Sequence, residues 1–366
     1  MRVYMNTWAW VSWLVAILVV TTRTRNPLYL LMIILVEYIL ATQLSRMRDR
    51  KVSPFFLRVS IFFIITSAVF NAFFAHYGQT VLFTVPSVIP IIGGPVTLEA
   101  IIYGSINGLV LATMFGAFTV ISLALSTRSM IRLTPRAYYP AAVVISIALT
   151  FLPNTLKQFE QIREAQTVRG HRMRGIHDWL PLVMPLLIGG LERAFKLSES
   201  MTARGFASQP ASPSMPGQRL LALFGILAIL VGWMLRLGND FSTIGILLIL
   251  LGTGLITAVI WSAGRRTRLT AYRQESWRWV DSLTLAGAVI CLAAVLIPLP
   301  FIDQDSLVYN PYPMVNLPAF DPVIGISLLG LLLPLVGLRT DTTGIQNNYH
   351  VRASPNPESP IPEEYI

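Results

Sequence analysis

Residues 244–261 read IGILLILLGTGLITAVIW, eighteen consecutive positions without a charge. A helix needs roughly 20 such residues to cross the hydrocarbon of a bilayer. A strand span would alternate apolar and polar side chains with a period of two, and this stretch does not. Leu220–Leu235 and Leu283–Leu299 repeat the pattern on either side. The whole chain follows suit: of 366 residues 54% are hydrophobic and 13% charged, where a soluble domain carries about 25% charged residues. Too few charges remain to cover a water-soluble surface. The reading is an all-α integral membrane protein that faces the lipid bilayer.

About eight crossings follow, near 7–22, 27–44, 55–75, 98–125, 219–236, 243–262, 281–299 and 321–338. The formal net charge is +10, carried mostly by Arg. Its distribution orients the spans, because cytoplasmic loops retain Lys and Arg. Three basic stretches alternate with basic-free ones. Arg46–Lys51, Arg128–Arg219 and Arg265–Arg278 are rich in Arg, while 76–97 and 300–320 hold neither Lys nor Arg. This places the basic loops and both termini in the cytoplasm and Arg23 and Arg25 outside. It also implies a multi-pass protein whose positive charge marks cytoplasmic loops rather than a nucleic-acid site. The apolar stretch Ala137–Leu152 has Arg on both flanks, so it reads as a helix on the cytoplasmic membrane face or packed in the bundle. Trp10, Trp13, Trp233, Trp261 and Trp279 lie near span ends, as interface anchors do. Cys291 is the lone cysteine, so no intrachain disulfide forms. The early apolar stretch Trp8–Val20 lacks a small-residue cleavage site and reads as a retained helix.

The chain divides accordingly into N-terminal membrane helices (1–136), a coupling region with its linker (137–218), C-terminal membrane helices (219–339) and a polar tail (340–366). Within the second part, 154–206 is too polar to cross a membrane and too periodic for a loop. Asn154 after Pro153 is a plausible N-cap. Leu156, Phe159, Ile162 and Ala165 recur at a spacing of three, opposite a face bearing Lys157, Glu160, Arg163 and Glu164. A second helix starts near Asp178. The two helices end alike, in Val168-Arg169-Gly170 and Ala203-Arg204-Gly205, 35 positions apart (204 − 169). Gly commonly terminates helices and Arg suits their C-terminal dipole, so one such ending is ordinary capping. Two in one loop would present two planar forks of donors, each fitted to a carboxylate on a partner.

These residues resemble the transmembrane (T) component of energy-coupling factor (ECF) transporters, the family that includes cobalt and biotin importers. Two Ala-Arg-Gly motifs at the ends of cytoplasmic coupling helices mark that family. Ala203-Arg204-Gly205 matches in full, and Val168-Arg169-Gly170 departs at its first position. Phe151-Leu152-Pro153, the Glu160–Gln166 run with Glu164 and Ala165, Asn26-Pro27-Leu28, Thr97-Leu98-Glu99-Ala100 and Tyr103-Gly104 also look like members' sequences. The resemblance covers about 26–207. It implies a non-catalytic subunit with two cytoplasmic ATPase subunits as partners, one per Arg tip. A membrane S component would carry the vitamin or transition metal.

No G-x-x-x-x-G-K-[ST] occurs, so ATP is expected on the partners and no cofactor on this chain. His76, His171, His177 and His350 are scattered and predict no metal centre. Glu37 sits inside an apolar span, where a carboxylate is either functional or a packed, protonated residue. Two other readings compete. A membrane enzyme would need a convergent set of His, Asp, Cys or Ser in 126–206, where Asp178 stands nearly alone. An ATP-independent transporter would show paired halves with interrupted helices, and no such symmetry is visible.

Overall fold

A computed structural model describes residues 5–47, 53–86, 93–135, 138–170, 175, 179–206, 216–237, 242–266 and 277–338. The described residues are mostly helical. Seven helices among them are long and apolar enough to cross a membrane, and two shorter apolar ones flank them near the ends of the chain. Helices dominate because a backbone in lipid must satisfy its own hydrogen bonds.

The contacts gather into two units. The first comprises residues 1–129 and 273–366. Helix α1 (Thr7–Arg23) starts where the Asn6 side chain accepts from the Trp8 amide, 3.0 Å away. It stops at Thr24, and Pro27 opens α2 (Pro27–Met47), with the fixed φ that suits a first helical turn. Helix α3 (Ser53–Phe74) leads into an antiparallel hairpin, β1 (Val81–Val85) and β2 (Gly94–Thr97), in register Val85 with Gly94. Helix α4 (Leu98–Ala124) follows at once. Thr97 caps it by accepting from the Ala100 amide and donates to the Tyr77 carbonyl. Glu99 is buried and takes the Thr80 amide at 3.0 Å, which ties the hairpin to the helix start. Along α4 small residues let α3 come close: a Cβ at Gly108 would lie 2.6 Å from Ile64 Cα, the small-residue packing typical of membrane helices.

From the C-terminal part, α10 (Trp279–Leu296) and α11 (Pro322–Leu329, continued as a 3₁₀ turn over Gly330–Leu332) complete this unit. They pack on α1 and α2 around Trp13, Tyr29, Ile33, Cys291, Ile324 and Leu328. The indole of Trp13 donates to the Leu331 carbonyl at 2.9 Å. At one end of the unit the Asn6 amide donates to Asp281, 2.8 Å away. At the other end Asn26 and Tyr29 meet the 300–321 loop. Asn26 Nδ2 donates to the Ser306 and Ala319 carbonyls, and the Asp321 amide donates to the Tyr29 hydroxyl. The same end holds the hairpin, since Tyr103 packs on Tyr312. The two loops free of Lys and Arg therefore share one face with Arg23 and Arg25.

The second unit comprises residues 130–272. The short α5 (Thr127–Ile131) bridges the two units in sequence. Then come α6 (Tyr139–Val168), α7 (Leu180–Ala203), α8 (Pro216–Leu237) and α9 (Ser242–Arg266). Helices α8 and α9 form a tight pair. A Cβ at Gly232 would lie 2.7 Å from the Gly245 carbonyl, and one at Gly252 2.5 Å from the Gly225 carbonyl.

Several expectations need correction. Residues 137–152 and 154–168 are not separate helices. They form the single α6, with Pro153 inside it, so Asn154 is not an N-cap. Continuing the helix costs one hydrogen bond at Pro153, whereas ending it inside an apolar stretch would free several backbone groups. No residue of α6 is buried. The apolar stripe is also different. A spacing of three drifts by about 60° per step on a helix of 3.6 residues per turn, which puts Leu156 and Ala165 on opposite sides. Both are exposed, and the covered face runs through Phe151, Thr155, Gln158, Ile162 and Gln166. Trp10 and Trp13 are not interface anchors but fully buried, in edge-to-face contact at 5.9 Å, whereas Trp233, Trp261 and Trp279 are exposed. Asp178, His171, His177, most of the 207–218 linker and the 340–366 tail lie outside the described residues.

Candidate functional site: the paired tips of α6 and α7

The ends of α6 and α7 are built alike to fine detail. Arg169 leaves the helix at φ −77°, ψ 6° and Arg204 at φ −85°, ψ 5°. Gly170 and Gly205 follow at φ +81° and +77°. The Arg169 amide reaches back to the Ala165 carbonyl and the Arg204 amide to that of Ser200, both at 3.3 Å. The Gly170 and Gly205 amides bond the Thr167 and Thr202 carbonyls, both at 2.9 Å. Nothing lies within 4 Å of a Cβ placed on Gly170. The left-handed backbone, rather than crowding, calls for glycine there.

A further shared residue escaped the reading of the motifs. Thr167 and Thr202 hold equivalent positions, two before each Arg. Thr167 Oγ1 donates to the Arg163 and Glu164 carbonyls and Thr202 Oγ1 to that of Ser198 at 2.8 Å. Each hydroxyl fastens the last turn just before the tip. The signal was present as Thr-Val-Arg-Gly and Thr-Ala-Arg-Gly.

Val168, Arg169, Gly170, Ala203, Arg204 and Gly205 are all exposed, Val168 by 89%. Glu160, Glu164 and Ala165 are exposed on the same helix that carries the first tip. Among the described residues neither tip Arg forms an ion pair. The nearby Glu192–Lys196 pair, at 2.8 Å one turn apart, is solvent-exposed. The hydrogen bond and charge of Lys196 hold the Glu192 carboxyl below its usual range, though such surface pairs contribute little stability. The arrangement therefore offers two free guanidinium forks on two ordered turns.

Between the tips and the membrane-length part of α6, the two helices touch. Arg193 Nη1 donates to Gln158 Oε1. Phe159 stacks on Trp179 with centroids 6.2 Å apart. Beside the contact lies a groove of about 510 Å³, lined among others by Phe151, Leu197, Met201 and Phe206. Much of the rest of α7 shows apolar side chains outward, including Leu187, Ile188, Leu191 and Phe195.

Glu37 is elsewhere, in α2. It is fully buried beside Gly116, and among the described residues neither carboxylate oxygen meets a hydrogen-bond partner. No group of three or more His, Cys, Asp or Glu gathers for a metal among the described residues.

Fold and site together define an all-α, multi-pass membrane protein that carries two matched basic helix tips. The chain belongs to the CbiQ family, described as "Cobalt transport protein", whose family model matches residues 5–217. The match ends at the start of α8. Curated relatives carry the name energy-coupling factor transporter transmembrane protein EcfT. That of Acidaminococcus fermentans is 28% identical over 144 residues, 33% of this chain and 54% of its own length. That of Listeria monocytogenes is 26% identical over 133 residues, covering 31% and 49%. That of Exiguobacterium sibiricum is 38% identical over 74 residues, covering 18% and 27%. The chain thus spans about a quarter to a half of the length of these relatives.

Proposed function

We propose that this chain is the membrane coupling subunit of an ECF-type importer for a vitamin or a transition metal. Arg169 and Arg204 each engage a carboxylate on one of two cytoplasmic ABC ATPase subunits. Closure of the ATPases on ATP moves α6 and α7, and that motion reorients a membrane S component that carries the substrate. The chain itself binds no ATP, and its basic face lies in the cytoplasm. The observation that supports this most is the identity of the two tips. Capping alone would require one glycine per helix but not the same exposed Arg and the same Thr bond at both.

Truncating one partner of a buried charged pair typically costs about 2–5 kcal/mol. Arg204→Ala should therefore release at least one ATPase on co-purification and abolish uptake into vesicles. Arg169→Ala should do the same, and the double variant should be worse than either. Arg→Lys should recover part, because charge remains while the two-pronged geometry is lost. Wild-type assembly and uptake in both Ala variants would reduce the tips to helix caps.

A further inference from the structure

Helices α6 and α7 repeat one another over more than their tips. At the 35-residue offset Leu152, Leu156, Glu164, Thr167, Arg169 and Gly170 recur as Leu187, Leu191, Glu199, Thr202, Arg204 and Gly205. Burial repeats as well. The half-buried positions Ile147, Phe151, Thr155, Gln158, Ile162 and Gln166 of α6 have as their counterparts Leu182, Leu186, Gly190, Arg193, Leu197 and Met201. All six are covered in α7, Leu182 fully, though the repeat of burial is partial. Leu149 and Phe159 are half-buried where Met184 and Ala194 are exposed, and Val183 and Gly189 are half-buried where Ala148 and Asn154 are exposed. Both helices thus turn the same face toward each other.

At the crossing, the residues that meet are themselves counterparts. Gln158 and Arg193 are 35 apart and hydrogen-bonded. Residues related by a two-fold axis touch each other only where the axis passes between them. We infer that α6 and α7 form a pseudo-two-fold pair whose axis runs through the Gln158–Arg193 contact, and that Arg193 is the positioning residue that sets the separation of the two Arg tips.

The lever arms are equal. Arg169 lies 11 residues beyond Gln158 (169 − 158) and Arg204 lies 11 beyond Arg193 (204 − 193). At a rise of 1.5 Å per residue each tip stands about 16 Å from the pivot. A change of about 10° in the direction of either helix moves its tip by about 3 Å, enough to break a hydrogen bond at a partner surface. The Arg193 guanidinium passes Gly189 and Gly190 of its own helix, 3.8 Å from where a Cβ on either would stand. The repeat departs from symmetry at Phe159, which stacks on Trp179, while its counterpart Ala194 lines the open groove. The tip positions are geometric, but their value for transport rests on the coupling role proposed above.

The test uses the full chain in lipid nanodiscs. Spin labels on Val168→Cys and Ala203→Cys, in a Cys291→Ala background, report the distance between the tips. Arg193→Ala should widen that distance distribution about two-fold, and Gln158→Arg alone should widen it too by placing two guanidinium groups together. The exchanged pair, Gln158→Arg with Arg193→Gln, should restore a narrow distribution, because the axis makes the two positions interchangeable. An unchanged width in Arg193→Ala, or an exchanged pair as broad as the single variants, overturns the inference. Uptake with ATPases present should fall several-fold in Arg193→Ala and return in the exchanged pair. Uptake indifferent to a widened distance would refute the positioning role. Because the distance is read without ATPases, its outcome stands apart from the Arg169 and Arg204 experiment.

Discussion

Asn26 joins the start of α2 to the 300–321 loop, and replacing it by Asp tests that joint with almost no change of shape. The side chain is fully buried. Its oxygen accepts from the Leu28 amide at 2.9 Å, and its nitrogen donates to Ser306 and Ala319 carbonyls at 2.8 and 2.6 Å. Two carbonyls so placed require a donor, so the amide has one orientation. Asn26→Asp keeps the cap on Leu28 but aims a second oxygen at both carbonyls. Each buried acceptor left unsatisfied costs about 1–3 kcal/mol, or about 2–6 kcal/mol for the pair. Asn26→Ala removes the same donors and the cap, yet it opens room for a water to serve the carbonyls. The larger change should be the milder one. The acid form of the introduced carboxyl can donate one bond back, so folding raises its pKa. The loss should shrink as pH falls and reach its full value above that raised pKa. Unfolding by sodium dodecyl sulfate in mixed micelles, followed by tryptophan emission, measures each midpoint. Equal midpoints for wild type and Asn26→Asp at neutral pH would refute the geometry of this joint.

Three other outcomes follow from close contacts and charge. Gly252→Ala forces a methyl to 2.5 Å from the Gly225 carbonyl, so the α8–α9 pair should loosen by about 1–3 kcal/mol, read as earlier proteolysis between the two helices. Gly116→Ala drives a methyl into Glu37 Oε2; it should destabilise alone and much less beside Glu37→Ala, a coupling that a double-mutant cycle in the same micelle titration detects. Cysteines introduced at Gln79 or Asn310 should label from outside intact cells and one at Lys157 should not, since Lys and Arg are absent from the first two loops and dense around the third; labelling at Lys157 from outside would invert the topology.

The long apolar runs were legible because 244–261 or 283–299 leave no alternative to a membrane helix. The tips were legible because Gly170 and Gly205 mark a backbone sign change that local sequence alone requires. What depends on distant partners was hidden. Trp10 and Trp13 near a span end look like interface residues until α10 and α11 cover them. The β1–β2 hairpin lies in a segment, Val81-Leu82-Phe83-Thr84-Val85, whose β-branched and aromatic content was a usable strand signal masked by the neighbouring hydrophobic spans. Pro153 looked like a boundary because proline usually is one. In α6 the apolar residues before it outweigh that preference. Gln158 and Arg193 carried no motif, and their relation emerged only when the 35-residue offset proved to be a contact.

The closing of α10 and α11 onto α1 also sets an order of events during synthesis. Trp13 and the carbonyl of Leu331 that accepts its hydrogen bond are 318 residues apart. At a ribosomal rate of about 5–20 residues per second, α1 enters the membrane roughly 15–60 s before its partner exists. For that interval an indole N–H, a buried Asn26 amide and the face of Tyr29 wait inside a nascent protein with their acceptors still untranslated. Meanwhile all of α6–α9, including both tips, is made. Helix α1 is thus made before these elements and finished after them, and the element that completes it lies beyond the stretch shared with the family model.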